Sequence, residues 1–120
     1  MTLNPAINNA LTALPIDENY KVISGVFRNI ASGNATVVTA GVPVQLISTP
    51  TQAKSLDITA DYNNTDMITV GGSGVVGALS GRKGVPLAAG NTYTFKITDV
   101  SQVWIDAVHS GDKCTFNYFY

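Results

Sequence analysis

The stretch Thr92-Tyr93-Thr94-Phe95-Lys96-Ile97-Thr98 alternates between polar and apolar residues at every position. Successive side chains of an extended strand point to opposite faces, so Tyr93, Phe95 and Ile97 are predicted to face a core while Thr94, Lys96 and Thr98 face water. The same period of two recurs on both sides. Ser55 to Ala60 places Leu56 and Ile58 inward, and Lys113 to Tyr120 places Cys114, Phe116, Tyr118 and Tyr120 on one side. Val103 to Val108 carries large apolar groups on both faces, so either one suits a core. Val22 to Ile30, Ala35 to Thr39, Val42 to Ile47, Met67 to Val70 and Val85 to Leu87 complete about eight or nine candidate strands, broken roughly every 8 to 12 residues by turn formers.

That spacing predicts an all-β, antiparallel sandwich or barrel. Ser32-Gly33-Asn34, Asp61 to Asn64, Gly71 to Gly74, Ala89-Gly90-Asn91 and Ser110-Gly111-Asp112 supply its reversals. Connections this short cannot hold a crossover helix, so hairpins are expected. The one helical signal lies at the start, where Asn4 caps, Pro5 suits the first helical position, Ile7, Leu11 and Leu14 form one stripe, and Pro15 ends it. Residues 1–19 therefore read as an N-terminal arm or short helix that docks on another surface, and residues 20–120 as the β-sandwich domain.

A chain of 120 residues matches one domain with one core, and at this length it buries roughly two thirds of its unfolded surface without needing a disulfide or a metal. The single cysteine, Cys114, has no internal partner and reads as a small core hydrophobe. Seven basic and eight acidic residues give a net charge of −1, and no basic run occurs, so neither nucleic acid nor an anionic membrane is an expected partner. Charged residues make up 12%, about half the usual share, which suits a surface packed against other proteins. The start Met1-Thr2-Leu3-Asn4-Pro5 has no signal-peptide pattern, and no apolar run approaches ~20 residues, so a soluble protein made in the cytoplasm is expected. The sequons at Asn34 and Asn63 read as strand-edge and loop residues.

Each chemical motif fails in its context. Gly72-Ser73-Gly74-Val75-Val76-Gly77 matches the dinucleotide-binding string, yet Ser80-Gly81 halts any helix that those glycines should open, so a loop whose glycines admit positive φ is expected. Gly81-Arg82-Lys83-Gly84 lacks the Gly-Lys-Ser/Thr order of a phosphate loop. Asp61, Asn63 and Thr65 begin like a calcium loop, but Asp66 stands at the turn glycine's place and Gly72 at that of the bidentate Glu, which leaves a polar turn. His109, Ser110 and Asp112 lie too close on one turn to surround a substrate as base, nucleophile and orienter. One His and one Cys do not make a zinc site. No catalytic, cofactor-binding or metal residue is predicted. Trp104, Tyr20, Tyr93, Tyr118 and Tyr120 read as core, and Tyr62, in its polar turn, is the aromatic placed to meet a partner.

The succession Gly41-Val-Pro-Val-Gln-Leu46, Lys54-Ser-Leu-Asp-Ile58, Ile68-Thr-Val-Gly-Gly-Ser-Gly-Val75, Gly84-Val-Pro-Leu-Ala-Ala-Gly90, Val103-Trp-Ile-Asp-Ala107 and a closing aromatic strand resembles small auxiliary virion proteins of tailed bacteriophages. These are head decoration or cement proteins and parts of head fibres or tails. The resemblance spans roughly residues 36 to 120 and is one of strands and turns. It implies a jelly-roll-like β-sandwich that forms a homo-oligomer, with a trimer favoured, on a shell of major capsid protein. The expected function is that of a non-enzymatic virion protein that binds and reinforces the assembled capsid. A tail or fibre adhesin module for a host glycan is the alternative, with exposed aromatics in a groove as its mark, and a small jelly-roll enzyme would show buried polar groups in a concave pocket.

Overall fold

The structure is a computed structural model in which residues 28–120 are described. Eight strands form two antiparallel sheets among them: β1 (Ile30–Thr36), β2 (Val44–Gln45), β3 (Ser55–Ala60), β4 (Ile68–Gly71), β5 (Val85–Leu87), β6 (Thr92–Phe95), β7 (Trp104–Ala107) and β8 (Lys113–Phe119). One sheet has the order β1-β8-β3-β6 and the other β2-β7-β4-β5. This is a jelly roll, in which most successive strands pass from one sheet to the other. The expected antiparallel pairing is present, but the expected hairpins are not: only β4 and β5 are sequential neighbours in a sheet. The physical reason is that a strand buried on one face gains a full second layer by crossing about 10 Å to the opposite sheet, a distance that a few extended residues span. The outermost pairing of the first sheet, Ile30 with Phe119, therefore joins the two ends of the described chain.

The core lies between the sheets. Leu56 and Ile58 of β3, Ile68 and Val70 of β4 and Ile105 of β7 are fully buried, together with Val37, Val100 and Cys114. Full burial of each large aliphatic side chain is worth about 1.5 to 3 kcal/mol. Cys114 sits at the inward position expected for it, and burial pushes its thiol pKa up to about 12, so it stays protonated and inert. From Phe116 outward the inward face of β8 becomes progressively exposed, through Tyr118 to Tyr120, with successive rings 6.4 and 5.8 Å apart.

Further expectations are corrected. Ser32-Gly33-Asn34 is not a turn but the middle of β1. A β-carbon on Gly33 would lie 2.6 Å from Cζ of Phe116, so the glycine makes room for a ring across the strand pair and does not reverse the chain. Tyr93 is not core: it is 45% exposed and rests edge-on against Phe95, because among the described residues β6 is an edge strand with β3 as its one ladder partner. The strand also ends at Phe95, short of Thr98. The helical signal of residues 1–19, Tyr20 and most of Val22 to Ile30 lie outside the described residues. No helix among the described residues is long and apolar enough to cross a membrane.

Candidate functional site

The two sheets present very different outer faces. On the second sheet, outward-facing Thr69 and Asp106 are 0% and 2% exposed because chain from both neighbouring loops lies over them. Asp106 holds that cover in place. Its Oδ1 accepts from the Gly41 amide at 2.9 Å, and its Oδ2 accepts from the Gly77 amide at 2.8 Å. Gly77 approaches so closely that a β-carbon would stand 2.6 Å from the backbone nitrogen of Ala107. The positive φ expected of the glycines of 72–77 is not found: none of Gly72, Gly74 and Gly77 is left-handed, and Gly77 is required by contact.

On the first sheet, no loop among the described residues lies over the middle of the outer face, although Ser55 at its end is buried. Strand register lays its side chains in rows that cross all four strands. One row is Ser32, Asn117, Asp57 and Thr94, and the next is Asn34, Thr115, Thr59 and Thr92. Every one of these residues is exposed or half-buried. Adjacent members bond to each other: the Ser32 hydroxyl donates to Asn117, the Thr94 hydroxyl donates to Asp57 Oδ1 at 2.7 Å, and the Thr59 and Thr92 hydroxyls are 2.7 Å apart. These bonds hold the side chains in place before anything binds. Asp57 is the single charge within the two rows, while Lys113 and Lys96 lie beyond them. With strands about 4.8 Å apart the rows extend roughly 14 Å from β1 to β6. Such a face offers many small donors and acceptors and little charge to desolvate.

The sequence motifs do not assemble into a site. His109, Ser110 and Asp112 point to different partners: His109 Nε2 lies 3.9 Å from Asp66 Oδ2, Ser110 Oγ accepts from the Ala40 amide, and Asp112 accepts from the amides of Thr65 and Asp66. Asp61 accepts from the Asn63 amide at 3.0 Å, as a polar turn requires. Among the described residues no group of three or more His, Cys, Asp or Glu is placed to hold a metal ion. Asp99 bonds the amide of Thr51 and both the hydroxyl and amide of Ser101, and these bonds hold its carboxyl below the usual range, the Thr51 amide most strongly. The aspartates at 99, 106 and 112 thus fasten loops to the sandwich. A cavity of 310 Å³ opens where β4 and β6 end, lined by Gly71, Gly72, Phe95, Ile97, Gln102 and Val103, with Gln102 its one polar side chain. Tyr62, 85% exposed, stands outside this cavity.

Sequence reasoning missed the polar face of the first sheet. Its alternating Ser, Asn and Thr residues were legible strand by strand, but which strands adjoin was not. Ser32 and Asn117 are 85 residues apart. No family model, no curated protein and no solved structure matches the chain.

Proposed function

We propose that the protein is a structural virion component that binds an assembled bacteriophage capsid through the outer face of its first sheet and reinforces the shell. The observation that carries this reading is the nearly uncharged face of exposed and half-buried hydroxyl and amide groups, beside a second sheet whose outer face is covered by its own loops. Side chains already bonded to one another lose little rotamer freedom on docking, and a face with little charge costs little to desolvate. Contacts of this kind are individually weak. On a lattice of major capsid protein they are multiplied by repetition and by homo-oligomer symmetry, so avidity offsets modest affinity at each position. The chain acts by binding and not by catalysis in this reading, and its buried aspartates are engaged with loop backbone.

The reading is tested by co-sedimentation with purified capsids. Thr59→Lys combined with Thr115→Lys places two charges at the centre of the face at surface-accessible positions. The doubly substituted protein is expected to stay folded and to lose capsid occupancy at least tenfold. Unchanged occupancy by the folded variant would remove this face from the proposal, and absence of the wild-type protein from particles would remove the proposal.

A further inference from the structure

The first sheet ends in an edge unlike the others. β2 has two residues, β5 has three with Pro86 in the middle, and β6 has four followed by Lys96. Short length, proline and lysine are the ordinary means by which proteins stop edge strands from pairing with other chains. β1 has none of them. It runs for seven residues, Ile-Ala-Ser-Gly-Asn-Ala-Thr, with no charge and no proline, and among the described residues β8 is its one partner.

The hydrogen bonds at its two ends define which backbone groups are free for pairing. Asn29 and Tyr120 exchange both backbone bonds, at 2.7 and 3.0 Å, and the Val37 amide donates to Asp112 at 2.9 Å. In an antiparallel ladder such bonded positions alternate, so the odd-numbered residues of β1 bond to β8 and the even-numbered ones direct N–H and C=O away from it. Those residues are Ile30, Ser32, Asn34 and Thr36, all exposed.

We infer that β1 pairs with β1 of a second copy of this chain, antiparallel about a two-fold axis at Gly33. In the register that sets Gly33 against Gly33, Ile30 meets Thr36 of the second copy and Ser32 meets its Asn34. Every outward-directed residue then exchanges both backbone bonds with one of its counterparts, and registers shifted by two residues leave some unpaired. The absence of charge on the strand removes the repulsion that two like edges would otherwise suffer. Ile30 and Val38, exposed to 61% and 75%, stand at and just beyond the two ends of the strand, and this register brings Ile30 of each copy toward Val38 of the other. The two polar faces join into one eight-stranded surface on the same side. The symmetry is two-fold, in place of the trimer that the phage resemblance implies.

Sedimentation velocity on the full chain is expected to show a reversible dimer with twice the 12.6 kDa chain mass. Asn34→Pro removes an outward-directed N–H and no bond to β8, a change that edge strands accommodate. It is expected to retain its unfolding transition and to raise the dimer dissociation constant at least tenfold. If the proline disturbs folding, Ser32→Lys with Asn34→Lys sets like charges directly opposite each other at exposed positions and is expected to give a folded monomer. A wild-type monomer or trimer, or a dimer that persists in either folded variant, would overturn the inference. None of these measurements involves capsids, so the outcome is independent of the proposed function.

Discussion

Thr59 and Thr69 occupy corresponding places, each facing outward from an inner strand of its sheet, and their surroundings are opposite. Thr59 is half-buried and its hydroxyl bonds to that of Thr92 at 2.7 Å, whereas Thr69 is fully buried and its hydroxyl has no hydrogen-bond partner. The difference lies in what crosses each sheet. The chain around Gly77 and Gly84 lies against the second sheet, and a β-carbon on Gly84 would come within 2.8 Å of Thr69 Cγ2. A residue patterned for water is buried there by loops that Asp106 holds down. Among the described residues no loop crosses the first sheet in this way, and its threonines stay exposed or half-buried.

The largest effect is expected from removing the fastening of the cover. Asp106→Ala leaves the Gly41 and Gly77 amides without their acceptor, and should cost about 3 kcal/mol in urea unfolding, with faster hydrogen exchange at both amides. Gly77→Ala attacks the same contact from the other side by placing a methyl against the β7 backbone, and is expected to cost about 1 to 3 kcal/mol. If neither change lowers stability, the loop is not packed on the sheet as described and the contrast between the faces disappears.

The paired threonines sharpen the comparison because their substitutions should have opposite signs. Thr69→Val replaces a buried, unbonded hydroxyl by a methyl of similar size, and should raise stability by about 1 kcal/mol. Thr59→Val removes one hydroxyl bond on an accessible face, and its effect on stability should stay within about 0.5 kcal/mol. Thermal or chemical unfolding of the two variants side by side decides the point. Equal effects would mean that the two faces are equally covered.

Much of this molecule was legible from residue order. Ser55 to Ala60 and Val85 to Leu87 are strands with the bounds that alternation indicates, Leu56 and Ile58 are core, and the turns at 61–64, 89–91 and 110–112 fall between strands. These features depend on neighbours two positions away, and local alternation reports them. Gly33 was misread because its signal is ambiguous: a glycine between Ser and Asn suits a turn as well as it suits a strand that must pass beneath an aromatic ring. Only the partner strand, more than 80 residues on, decides between them.

The sequence by itself determined that the chain is all-β, because alternation with period two and frequent turn residues suit a sandwich or a barrel, and the two separate sheets decide for the sandwich. Only the tertiary structure decided which outward faces meet water, since Thr59 and Thr69 have the same local pattern and differ in the loop that crosses them. It also decided which strand is left at an edge. Burial on the solvent side of a sheet and edge position are both set by contacts between segments far apart in sequence, and local pattern carries no record of them.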